Sequence, residues 1–114
     1  MKSIQKFEYL RSEKHLNAVR SLPCCECDAD PRSQAAHINW SKFGKAMKKK
    51  ASDEATIPLC IADHQGYDQS KRTREENNEW FMVHLRSTAI KLKQLDLLVP
   101  DAERLLIERG VLND

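Results

Sequence analysis

From residue 23 to residue 68 the chain reads PCCECDADPRSQAAHINWSKFGKAMKKKASDEATIPLCIADHQGYD. This stretch carries all four cysteines, two of the four histidines and the densest lysine run of the 114-residue sequence. Cys24 and Cys27 form a CxxC, a spacing that lets two thiolates reach one tetrahedral ion from a single turn. Cys60 offers a third sulfur. Cys25 adjoins Cys24, and adjacent residues rarely reach one ion comfortably. Asp63 lies three residues after Cys60, where the second member of another C-x-x-[CH] pair would fall; His64 is the competing fourth ligand. Cys24, Cys27, Cys60 and Asp63 are thus expected to hold a structural Zn²⁺. A redox CxxC would need a surrounding βαβ pattern, which is missing. Thiols without a metal are the plain alternative.

Working outward, the length fits one domain, 1–114. A chain of this size buries a modest core, so bound metal would add folding free energy directly. The formal net charge of +2 is too small to argue for a polyanionic partner. Its distribution says more, because five of the nine residues from Lys42 to Lys50 are lysine and none is acidic. Such a run suits a phosphate backbone, and equally a solvated loop. No apolar run reaches the ~18 residues of a membrane span. The N-terminal segment lacks a signal-peptide core. A cytoplasmic chain with reduced thiols is expected.

The pattern predicts an α+β chain. Residues 1–11 suggest a strand or an arm packed on the domain. Ser12 is placed to cap a helix through Arg20, with Leu16 and Val19 inward. Pro23 ends that segment, and 24–33 reads as a turn. A short strand is expected at 34–40, a lysine-rich loop at 41–53, a second strand at 55–59 and a short helix at 60–69. There His64 and Asp68 stand four apart on one face. A long helix from Arg74 to about Leu97 should bury Phe81, Leu85, Thr88 or Ala89, Leu92 and Leu95, with Trp80, Val83 and Ile90 widening the face. Pro100 opens a last helix, with Ala102, Leu105 and Leu106 inward and Gly110 as its stop.

QAAHIN around His37, SDEATIPLC from Ser52 and DHQGYD from Asp63 together resemble the HNH endonuclease superfamily. The likeness is to small phage and prophage members with an AHI motif, a K-x-S-D loop and a PLC-x-x-x-H-x-x-x-[DH] ending. It covers about 15–70, leaving 74–110 as a helical extension. The resemblance implies a zinc-stapled ββα-metal core, here with one helix before it and two after. It implies a hydrolase of DNA phosphodiester bonds, phage- or prophage-encoded and working in the bacterial cytoplasm. His37 matches the general base that activates water. His64 and Asp68 match the ligands of a catalytic Mg²⁺ or Mn²⁺, and Lys45, Lys48, Lys49 and Lys50 would meet neighbouring phosphates. Asp53 would orient His37, approach the metal, or simply cap the next turn.

Two departures stand out. Many members carry an acid or histidine directly before the base, where this chain has Ala36. The usual middle asparagine falls at Ala55, leaving Asp53 as the nearest polar group, with Asn39 a further candidate. Trp40 reads either as a base-stacking ring or as a core tryptophan. His15 and His84 receive no role. The competing function is a zinc-stapled DNA-binding or adaptor module without catalysis. A third is a structural phage protein assembled through its C-terminal helices, the chain being a monomer or a dimer through them.

Overall fold

Ser12 stops the N-terminal segment by accepting the His15 backbone N–H at 3.1 Å, which starts helix α1 (Glu13–Arg20). A computed structural model describes residues 7–29 and 33–113. Antiparallel strands β1 (Gln34–His37) and β2 (Thr56–Leu59) follow, then helix α2 (Ile61–Asp68), the long helix α3 (Arg74–Gln94) and helix α4 (Pro100–Glu108). Among the described residues this is an α+β domain of four helices and one two-stranded sheet. No described helix is long and apolar enough to cross a membrane.

The register pairs Gln34 with Leu59, Ala36 with Ile57 and His37 with Thr56. Side chains alternate across a strand, so Gln34, Ala36, Ile57 and Leu59 share one face and Ala35, His37, Thr56 and Pro58 the other. The first face joins the main core with Tyr67 of α2 and with Phe81, Leu85 and Ala89 of α3. On the second face Ala35 packs against Val19, Leu22 and Leu92. Both strands are edges of a two-stranded sheet, which lets Pro58 occupy β2 without a missing donor.

Residues 7–11 form the expected arm; residues 1–6 lie outside the described residues. The Tyr9 hydroxyl donates to the Gly44 carbonyl at 2.5 Å, and the Leu10 N–H donates to Ser52 Oγ at 2.7 Å. Arg11 donates to the carbonyls of Ala51 and Lys50 at 2.6 and 2.8 Å. Gly44 has φ +90°, and a Cβ there would stand 2.6 Å from the rings of Phe7 and Tyr9. Only glycine fits both that left-handed backbone and that close approach.

Several helix faces differ from expectation. α1 buries His15 beside Val19, while Leu16 is only half-buried. On α3 the buried residues are Asn78, Phe81, Leu85, Thr88, Ala89 and Leu92. Leu95, Val83 and Ile90 are exposed, because α3 ends before Leu95 and the other two point away from the sheet. α4 buries Ala102, Leu105 and Leu106 as expected. Past its end, Gly110 has φ +79°, with the Gly110 N–H on Ile107 O and the Val111 N–H on Leu106 O, a Schellman stop.

Candidate functional site

The CxxC turn closes on itself. The Cys24 N–H donates to Ala29 O at 3.0 Å, and the Asp28 N–H donates to Cys24 O at 2.8 Å. Asp28 takes φ +61° to do so. The carboxylate of Glu26, in the same turn, accepts from Trp80 Nε1 and meets His84 Nε2, both at 3.3 Å, which ties the turn to α3. Cys60 is the N-cap of α2, and its sulfur accepts the Asp63 N–H at 3.4 Å. Anionic donors suit this position, since the helix start presents unpaired N–H groups and a positive dipole end.

These two pieces meet. The ligand atoms of Cys24, Cys27, Cys60 and Asp63 all lie within 4.8 Å of one another, a group that could hold a metal ion. Cys27 and Cys60 sulfurs stand 3.8 Å apart, and Asp63 Oδ2 is 3.2 Å from the sulfurs of both Cys24 and Cys60. Without metal, hydrogen bonds from the Cys27, Cys24 and Cys60 thiols hold the Asp63 carboxyl below its usual range. Cys25 stands aside as expected. Its half-buried side chain packs against the core, and burial pushes its thiol up to about 12. His64 is not in the group, so Asp63 rather than His64 stands as the fourth donor.

His37 ends β1 with Nε2 at 2.8 Å from Asp53 Oδ1. Asp53 is 4% exposed and also takes the Ser12 N–H at 2.8 Å on Oδ2 and Arg11 at 3.2 Å on Oδ1. Burial raises the Asp53 pKa, but hydrogen bonds from His37 and Ser12 and the charges of His37 and Arg11 outweigh it and leave it lowered. An ionised Asp53 accepts only, so Nε2 of His37 donates to it, and in the neutral ring Nδ1 carries the lone pair. Asp53 therefore contacts the histidine, whereas the turn after it is held by Thr56 Oγ1 donating to the Asp53 carbonyl at 2.9 Å.

His64 and Asp68 stand one turn apart on α2, with Nε2 and Oδ2 3.8 Å apart. His64 Nδ1 lies 2.7 Å from Gln34 Oε1. Gln34 Oε1 can only accept there, so Nδ1 donates, and in the neutral ring Nε2 carries the lone pair. Gln34 thus orients the His64 ring, a contact that sequence reading passed over. Its signal was faint: a polar residue on the strand face shared with Ala36. Ala36 itself is fully buried in the core and supplies no ligand. Gln34 and His37 are an odd number of residues apart, so the His64–Asp68 pair and the His37–Asp53 pair flank opposite faces of β1. Among the described residues they do not join into a second metal-holding group.

The lysines divide. Lys45 lines a cavity with Asn39, Trp40 and Arg74. Lys49 Nζ sits 4.0 Å from the centre of the Tyr9 ring, while Lys48 and Lys50 are exposed. Compared against protein-family models, curated proteins and solved structures, the chain matches none of them.

Proposed function

We propose that the protein is a metal-dependent HNH-type endonuclease that hydrolyses DNA phosphodiester bonds, on a zinc-stapled ββα-metal core. The observation that carries the reading is the His37–Asp53 couple, 2.8 Å apart, with its carboxylate buried and ionised. A histidine held by a buried carboxylate is fixed in one tautomer and orientation, as a general base requires. In this reading Nδ1 of His37 takes a proton from water, and the resulting hydroxide attacks phosphorus. The bond to the 3′ oxygen breaks, that oxygen takes a proton from solvent, and a 5′ phosphate and a 3′ hydroxyl remain. Asp53 holds the ring and stabilises its charged form.

His64 and Asp68 fit a weakly held Mg²⁺ or Mn²⁺. Two ligands on one such ion can stand at most about 4 Å apart, and theirs are 3.8 Å apart. A bound ion would neutralise charge on a phosphate held at this pair. At the other site the sulfur-rich donor set favours Zn²⁺. Sulfurs on a tetrahedral zinc stand about 3.8 Å apart, given bonds of about 2.3 Å, which is the Cys27–Cys60 separation.

The test is relaxation of supercoiled plasmid with added Mg²⁺ or Mn²⁺. His37→Ala should abolish nicking, and Asp53→Asn should cut it on the order of 100-fold or more. Purified chain that leaves plasmid intact with every candidate divalent ion would remove the catalytic reading. Elemental analysis should return one zinc per chain, lost in Cys60→Ser.

The separation of the two pairs across β1 favours a second reading, a zinc-stapled DNA-binding or adaptor module without catalysis. Plasmid binding that survives His37→Ala, with no nicking by wild type, would select it.

A further inference from the structure

Two neighbouring cavities run beyond Asp68. The first, about 220 Å³, is lined by Asp68, Asn39, Arg72, Arg74 and Asn77 among others. The second, about 400 Å³, shares Asn39 and Arg74 with it and adds Trp40 and Lys45. Asn39 is held in this wall because its backbone N–H donates to the Tyr67 hydroxyl at 3.0 Å.

Three observations give this surface a chemistry. Arg11, Arg20, Arg104 and Arg109 are all paired to carboxylates. Among the described residues Arg72, Arg74 and Arg86 form no ion pair; Arg86 donates to the Val111 carbonyl at 3.3 Å, away from this surface, while Arg72 lies over the Trp80 ring at 4.6 Å and donates to Ser70 Oγ at 3.0 Å. Second, Asn39 stands exposed in the wall that the two cavities share. Third, Trp40 is a half-buried ring at the cavity edge.

The geometry points to a strand-binding groove for unpaired nucleotides, with Arg72, Arg74 and Lys45 on phosphates, Trp40 stacked on a base and the Asn39 amide on a base edge. This rests on the nucleic-acid reading above and names its substrate class. An amide set back in a concave wall meets a base most readily once that base has left the helical stack. Stacking on an aromatic ring serves the same unpaired state. The arginines differ from the lysine run in being planar and able to grip a phosphate with two parallel hydrogen bonds. The groove begins at Asp68, so a strand lying in it would extend from the His64–Asp68 pair.

The experiment is fluorescence anisotropy with a labelled single-stranded oligonucleotide and the same sequence as a duplex, without added divalent ion. Wild type should prefer the single strand. Arg72→Gln with Arg74→Gln should weaken binding on the order of tenfold or more and reduce the salt slope by about 1.4, the loss of two single-strand phosphates. Both arginines are exposed, so the fold should survive, which circular dichroism checks. In Trp80→Phe, where Trp40 is the remaining tryptophan, bound strand should quench the fluorescence. Equal or tighter binding of duplex, an unchanged salt slope in the double variant, or unquenched Trp40 would overturn the proposal. Plasmid nicking by the double variant at the wild-type rate would overturn the groove while sparing the nuclease. Arginine-dependent strand binding without any nicking would spare the groove and remove the catalysis.

Discussion

His15 occupies a place in α1 where an apolar side chain would be expected. It is 1% exposed, and neither ring nitrogen has a hydrogen-bond partner. Burial lowers its pKa from 6.5 to about 4, against the attraction of Asp53. The folded protein therefore resists protonation that the unfolded chain accepts. Stability is unaffected by this group above about pH 6.5, falls as the pH drops from there, and levels off below about 4. At pH 5 the loss relative to pH 7 should be about 2 kcal/mol. Urea unfolding at both pH values should show that difference shrink by a similar amount in His15→Leu. An equal pH dependence in the two proteins would mean that His15 is protonated, or solvated, in the fold. At this scale the cysteines were legible, because metal-ligand spacing is local. For Asp53 only the choice among its three expected roles waited on the fold, since it meets His37 from the loop before β2, 16 residues away in the chain.

At the scale of elements, α3 shows how a periodic pattern is read and then trimmed. Phe81, Leu85, Ala89 and Leu92 follow helical spacing and are buried. Leu95 continues the same spacing but is 54% exposed. The helix stops at Gln94, and Asp96 turns the chain with φ +59°. The Leu97 N–H then bonds Leu92 O at 2.8 Å. Nothing in the apolar pattern marks this stop, because aspartate takes a place more often given to glycine or asparagine. Phe81→Ala should cost about 3–5 kcal/mol of unfolding free energy. Leu95→Ala should stay within about 0.5 kcal/mol. Denaturant midpoints compare them directly, and similar losses would place Leu95 in the core.

Across the whole molecule, a buried charge joins the ends of the chain. Glu54, just before β2, has a fully buried side chain and is ion-paired to Arg109 at the end of α4. Ser52 Oγ also donates to it. Arg109 reaches further, donating to the Glu8 carbonyl at 2.5 Å and covering the Phe7 ring at 4.1 Å. Arg104 of α4 pairs with the Glu8 carboxylate at 2.6 Å. The N-terminal arm, the loop before β2 and α4 are thus one polar assembly beside the core. Arg109→Ala leaves the Glu54 charge buried and unpaired and should cost about 3–5 kcal/mol. Glu54→Gln should cost less, since a neutral amide keeps hydrogen-bonding capacity. Thermal unfolding of the two variants measures the order, and the reverse order would mean that the pair is not desolvated in solution.

Local sequence alone determined the order of helices and strands, the cap of α1, the stop of α4 and the three sulfurs of Cys24, Cys27 and Cys60 as candidate metal donors. Those features depend on spacing and on side-chain chemistry within a turn or two. Tertiary structure decided the rest: Asp63 rather than His64 beside the cysteines, Asp53 on His37 out of its three expected roles, Gln34 on His64, Ala36 as core, Glu54 on Arg109 and the cavities beside Trp40. Each joins residues far apart in the chain, and such contacts follow from strand register and from how α1 and α3 pack on the two-stranded sheet. The stretch from Cys24 to Asp68 thus carries both the group that could hold a metal ion and the histidine pairs, but the fold sets which partners those side chains meet.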